Sequence, residues 1–341
     1  MKKKLLFWAG MSLLLSVLFT SCRKDDKPVP LRVGLVTGVG TLNDRGFNQQ
    51  AYSGLADASR VVNMEWEVRE SASVSGIESN IRYFLDKKVD VIITLGYDAA
   101  QVTLDAAEAN PSVKFLLLDY TFPSLPKNMA CVDHKVDQAS FPCGFLAAYQ
   151  ACVKNPASPV AGYVAGPDIP TIRQFTLSYA AGVAYFNSKY GRNVLVAGAN
   201  VPTFTDTLRG AKVADSLIQL GAEVIFACAG KTGNGALYKA KEKGKAAIGV
   251  DTDQYLTIPE VGDILITSCM KRLDAAIRTE VIDIVKCKFH GGETLISNLE
   301  NKGVQLAPYH DFDAKIPDSI RQAVTEIEQG IMDGTIDTGV N

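Results

Sequence analysis

Histidine is scarce in this chain: three in 341 residues, at positions 134, 290 and 310. They are scattered without metal-ligand spacing, and no Cys-x-x-Cys occurs, so a zinc centre has no anchor. GxSxG, HExxH and a histidine beside a candidate nucleophile are also missing, which removes the usual footholds of a hydrolase or metalloenzyme. Nucleotide-phosphate loops are wanting too. Gly38-Val39-Gly40 would need a glycine at position 43, where Asn43 stands, and Gly230-Lys231-Thr232 ends like a P-loop but has Ile225 in place of its first glycine. Both are better explained as tight turns at strand ends. The formal net charge is -2 and no basic stripe interleaves with aromatics, which argues against a nucleic-acid partner. Seven cysteines are present. Beyond Cys22, the six at 131, 143, 152, 228, 269 and 287 lie in apolar helix or strand patterns and read as buried thiols rather than a disulfide framework.

What is there is the composition of an ordinary globular protein, 47% hydrophobic and 21% charged, long enough for two domains. The first 22 residues are a processing segment. MKKK is a basic start, LLFWAGMSLLLSVLF is an apolar core too short to span a membrane comfortably, and LFTSC ends at Cys22. That ending resembles the lipobox of bacterial lipoproteins, in which the cysteine becomes the acylated N-terminus; an ordinary signal peptide with an incidental cysteine is the plainer alternative. RKDDKPVP, residues 23–30, is charged and proline-bearing and reads as a solvated tether.

From Leu31 the chain alternates short β-like runs with amphipathic helices: LRVGLVT then FNQQAYSGLADASRVV, MEWEVRE then SGIESNIRYFLDKK, VDVIITLG then DAAQVTLDAAEAN, then VKFLLLD. VDVIITL and VKFLLLD are continuous rather than alternating, as strands covered on both faces are. The pattern restarts after SFPCGFLAAYQACV with PVAGYVAG, RNVLVAGANV, AEVIFACAG and KAAIGVD, separated by helical stretches. Two copies of a βαβ architecture predict two lobes with parallel sheets. In such sheets ligands bind beyond the carboxyl ends of the strands. Those ends carry Asn43, Asp44, Phe47 and Asn48, then Gly96, Tyr97 and Asp119, and in the second half Asp168, Phe204, Asp206, GKTGNG and Asp251. Amides, carboxylates and aromatics facing one another across a cleft suit a polar, planar molecule.

TGVGTLNDRGFNQQAYSGL, AGPDIPTIRQF, VIFACAGKTGNG, GVDTDQY and ITSCMKRLDAAI resemble, in order and spacing, the basic membrane protein family, the purine-nucleoside-binding lipoproteins of ABC transporters. The similarity runs from about Arg32 to Pro308. It implies a type I periplasmic-binding-protein fold: two Rossmann-like lobes joined by three crossovers, with 31–137 plus about 271–295 in the first lobe and 138–270 plus about 296–341 in the second. It implies a non-enzymatic binding lipoprotein without a cofactor, anchored at the bacterial cell envelope through Cys22, that passes a purine nucleoside (inosine, guanosine or adenosine) to a permease. By the same resemblance Asn43, Asp44, Phe47 and Asn48 belong to the ligand loop, Phe204 is the aromatic of the later strand end, Asp251 is the ribose-binding acid, Lys271 is the lysine of the TSxxKR motif, and Asp119 is a strand-end acid. The sequence departs from the family's pattern at Gly38, where an aspartate is common, and at Lys231, where glycine is usual.

Plainer roles stand beside these. Asn43 or Asp44 can cap a helix, Phe47 can staple one, Asp251 can shape a turn, and Lys271, which opens a helix-like stretch, can be a solvated lysine; Phe204 sits in a polar turn where core burial is not obvious. Tyr97, Asp168 and Asp206 read as structural. A sugar or another small polar metabolite in the same cleft, a sensor partner in place of a transporter, and an enzyme using Asp44 and Asp251 are the competing functions.

Overall fold

The computed structural model describes residues 29–340; the leader and Cys22 lie outside the described residues. In the first half, β1 (Leu31–Val39), α1 (Phe47–Ser59), β2 (Met64–Ser71), α2 (Val74–Asp86), β3 (Val91–Leu95), α3 (Ala100–Ala109), β4 (Lys114–Leu118) and β5 (Met129–His134) follow one another. The second half begins with α4 (Val136–Lys154) and continues through β6 (Val160–Ala165), α5 (Pro170–Tyr190), β7 (Leu195–Asn200), α6 (Thr207–Gln219), β8 (Ala222–Cys228), α7 (Gly230–Glu242), β9 (Ala246–Asp251), α8 (Gln254–Thr257) and β10 (Leu265–Lys271). The chain then returns to the first lobe for α9 (Leu273–Val285) and β11 (Thr294–Ser297), and ends in the second with β12 (Val304–Leu306) and α10 (Asp318–Met332).

The strand orders are β11-β5-β4-β3-β1-β2 and β12-β10-β9-β8-β6-β7. Pairing is parallel throughout except between β10 and β12. Apart from β11 and β12, the two orders are the same when the second is renumbered, so every strand end in one lobe has an equivalent in the other. Each sheet reverses direction of winding between two strands, β1 and β3 in one lobe and β6 and β8 in the other, and this switch point is where open α/β sheets leave a crevice.

The continuous runs are buried because helices cover both faces: every residue of Val91–Leu95 is buried, as is every residue of Ala246–Asp251. Helix α4 has no polar face and packs against α5 through glycines; a Cβ at Gly144 would stand 1.9 Å from the Tyr179 carbonyl oxygen, and one at Gly182 1.9 Å from that of Phe141. Gly230 turns the chain at the end of β8 with φ 53°, as a strand-end glycine should, but the rest of GKTGNG is the first turns of α7 and not a turn. The two later glycines serve packing: a Cβ at Gly233 would meet the Ala227 oxygen at 2.6 Å, and one at Gly235 the Thr207 oxygen at 1.9 Å, where α7 presses on α6. Among the described residues no helix is long and apolar enough to cross a membrane.

Candidate functional site

The strand ends of the two lobes face a cleft of about 830 Å³, counted out to its solvent-facing mouth. Each lobe contributes one strand-end phenylalanine to it, from different connections: Phe47 follows β1 and Phe204 follows β7. Phe47, the first residue of α1, lies over the ends of β1 and β3, its ring edge 3.6 Å from where a Cβ would stand on Gly38 and on Gly96. Phe204 lies over the ends of β6 and β8, so close to Gly166 that a Cβ there would be 2.2 Å from its ring, with Gly230 (φ 53°) beneath its Cβ. Each ring thus sits on two strand-end glycines at the switch point of its own lobe.

The acids repeat the pattern. Asp119 follows β4 and Asp251 closes β9, the equivalent strand, and both hold left-handed backbone at φ 67° and 66°. A non-glycine residue costs energy there, and the surroundings must enforce it. Lys271 at the end of β10 joins the two lobes: its ammonium is 2.9 Å from Asp119 Oδ2 and 3.5 Å from Asp251 Oδ1. It also lies 4.8 Å from the centre of the Phe47 ring and 5.4 Å from that of Phe175. Lys271 is only 3% exposed, so it is a buried strand-end cation and not the solvated start of a helix. Burial works against its charge, but the two carboxylates outweigh this and hold its pKa above the ordinary value. Burial likewise pushes Asp119 up to about 6 against the pull of Lys271. His134 ends β5, the equivalent of β10; burial and then the charge of Lys271 hold it well below the usual imidazole range, and neither ring nitrogen has a hydrogen-bond partner among the described residues.

Asp44 does two things. Its carboxylate caps α1, Oδ1 accepting from the Gly46 and Gln49 amides and Oδ2 from the Asn48 amide at 2.7 Å, while the residue also lines the cleft. Burial raises its pKa to about 6, opposed by those three donors and assisted by the charge of Asp251. Asn48 is 3% exposed; its Nδ2 reaches the Thr41 carbonyl at a long 3.4 Å and its Oδ1 has no partner among the described residues. Asn43 is exposed and is not part of the cleft wall. Asp168 is tied to Arg173 on the surface, and Asp206 caps α6 by accepting from the Arg209 amide. Tyr97, read as structural, is 44% exposed and lines the cleft, with Asp98 beside it.

Several contributors carried no sequence signal of a site. Phe175 and Ile172 reach the cleft from the first turns of α5, where their apolar helical spacing looks like core. Gln50 locks the lobes together: Nε2 donates to the Asp251 carbonyl at 3.1 Å and Oε1 accepts from the Leu273 amide at 3.1 Å. Asn234 donates to the Asp44 carbonyl at 2.8 Å, and Arg45 exchanges hydrogen bonds with Thr257. The polar loop after β1 therefore serves the lobe interface as much as the cleft.

The family described as "ABC transporter substrate-binding protein PnrA-like" matches residues 32–337. A CD4+ T-cell-stimulating antigen of Listeria monocytogenes is 27% identical, covering 98% of each chain. The ABC transporter nucleoside-binding protein BmpA of Lactococcus lactis is 26% identical over 97% of this chain and 98% of its own. A solute-binding protein of an Aeropyrum pernix ABC transporter superposes with a TM-score of 0.84, covering 90% of this chain and 93% of that one at 24% identity, which speaks for the fold. With a type I periplasmic-binding-protein architecture and a match over nearly all the described residues, the chain belongs to the Bmp family of PnrA-like ABC transporter substrate-binding proteins.

Proposed function

We propose that this protein captures a purine nucleoside between its lobes, is anchored through acylated Cys22, and delivers the ligand to an ABC permease. The observation that carries the reading is that each lobe sets one phenylalanine, Phe47 or Phe204, over its switch-point strand ends, facing the cleft beside the buried Asp119–Lys271–Asp251 cluster. A purine has two apolar faces for the rings and a polar rim for amides and acids. Ribose has adjacent hydroxyls that suit one acceptor and one cationic donor, the parts given to Asp251 and Lys271. Asp44 and Asn48 belong to the rim, and Asp119 holds Lys271 in place. The relative from Lactococcus lactis, named as nucleoside-binding, supports the same ligand class. The Asp44 carboxylate is spent on α1, and among the described residues no nucleophile–base pair accompanies it, so the cleft is read as a binding site. Calorimetric titration with inosine, guanosine and adenosine against ribose and galactose tests this. Saturable binding of at least one nucleoside, with neither sugar bound, is expected; binding of a sugar and no nucleoside overturns it.

A further inference from the structure

Six charged side chains line the cleft: Asp44, Asp98, Asp119, Asp251, Lys231 and Lys271. Lys271 is held by two carboxylates, whereas Lys231 has no ion pair, hydrogen bond or aromatic ring against its ammonium among the described residues. Its backbone is fastened beside Phe204. The Thr232 amide donates to the Phe204 carbonyl at 3.0 Å, the Thr232 hydroxyl to the Thr203 carbonyl at 2.8 Å, and Gly230 lies under the Phe204 Cβ. Lys231 follows the strand-end glycine of β8 as Tyr97 follows that of β3, so each flanks the aromatic of its own lobe. A second group is also unsatisfied: Oδ1 of Asn48, in a residue 3% exposed on the opposite lobe of the same cleft. Such a buried acceptor costs stability until something donates to it.

We propose that Lys231 makes the cleft selective for 6-oxopurine nucleosides over 6-aminopurine ones; the inference rests on the nucleoside reading above. An ammonium can only donate. The strongest acceptor on a neutral purine nucleoside is a carbonyl oxygen at position 6, and a 6-oxopurine places an N1–H donor next to it, which suits the unpartnered Asn48 oxygen. Adenine puts an amino group, a donor, where Lys231 needs an acceptor. A phosphorylated ligand would also satisfy the ammonium, but four carboxylates against two cations in one cleft repel a dianion and accept a neutral carbonyl. Ribose held by Asp251 and Lys271 keeps the base from sliding by one atom to recover the match.

The test is calorimetry of the wild type, Lys231→Met and Lys231→Gly with inosine, guanosine, adenosine and inosine 5′-monophosphate, with urea midpoints to show that the variants fold. The wild type should bind inosine and guanosine roughly 10- to 100-fold more tightly than adenosine, the range of a hydrogen bond to a charged group. Both variants should lose that preference by weakening the oxo nucleosides, with adenosine nearly unchanged. A preference that survives both substitutions, a wild type that favours adenosine, or a Lys231-dependent preference for the monophosphate overturns the selectivity while leaving nucleoside binding intact. Binding of no nucleoside at all overturns both readings.

Discussion

Replacing Lys271 with Met leaves Asp119 and Asp251 facing each other without their shared cation, at 9% and 6% exposure. Breaking a buried pair in this way costs about 3–5 kcal/mol when the stranded charge cannot be discharged. Here it can be, by protonation, so the cost depends on pH. Asp119 already titrates near 6 beside the ammonium, and without it the pKa climbs further. A carboxyl whose folded pKa lies above its unfolded value favours the native state at low pH, and that advantage is lost as pH rises through the folded pKa. In the wild type the Asp119 share of this loss runs from about pH 4 to about pH 6 and then ends. In Lys271→Met it continues above 6 at about 1.4 kcal/mol per pH unit for one carboxylate. The penalty of the substitution should therefore be modest at pH 5 and grow by about 3 kcal/mol between pH 6 and pH 8. Asp44, also raised to about 6, is present in both proteins and cancels in the difference. Adding Asp119→Asn to Lys271→Met should flatten the dependence. Urea unfolding followed by circular dichroism at pH 5, 6, 7 and 8 reads the quantity directly. A penalty equal at pH 5 and pH 8, or smaller at pH 8, would refute the idea that burial and one shared cation set the charge state of this cluster.

Two further outcomes are expected. Gly182→Ala should destabilise the second lobe by at least about 1–3 kcal/mol in urea unfolding, because its methyl would be driven into the Phe141 carbonyl where α5 crosses α4; an unchanged midpoint contradicts that packing. Cys22→Ser should move the protein from the membrane to the soluble fraction with nucleoside affinity unchanged, and continued membrane association in a fractionation assay contradicts the acyl anchor.

Much of the fold is written in local pattern. The runs at 91–95 and 114–118 are apolar on both faces because each strand is covered twice, and this distinguishes parallel from antiparallel sheets without any tertiary information. The site was harder to read. Phe204 stood out because an aromatic in a polar turn has no local reason to be there, while Phe175 did not, because the helix around it gave it one. Lys271 looked like a helix start since Leu273 onward is helical; only the neighbouring strand β9 shows that it ends a strand. In GKTGNG, Gly230 does make the strand-end turn its position suggested, with φ 53°, but Gly235 is there for the close approach of α7 to α6 at Thr207, a requirement set by a residue more than twenty positions away. Asp44 illustrates the remaining difficulty: the capping role and the ligand role call for the same residue type at the same position, and the structure gives it the cap and a place in the cleft wall together.

In the proposed complex a base lies on Phe204 while Asp251 holds the ribose. Titration of the wild type, Phe204→Ala and Asp251→Ala with a ribonucleoside and its 2′-deoxy analogue separates the two roles. Loss of the ring should weaken both ligands by similar factors, about 1–3 kcal/mol each as for other base–aromatic stacks. Asp251→Ala should weaken the ribonucleoside by about 1.5–3 kcal/mol and the deoxynucleoside by much less, since the hydroxyl that the carboxylate holds is already gone. Equal losses for the two ligands in Asp251→Ala would show that Asp251 does not hold that hydroxyl, and normal binding of both by Phe204→Ala would show that the base does not lie on Phe204.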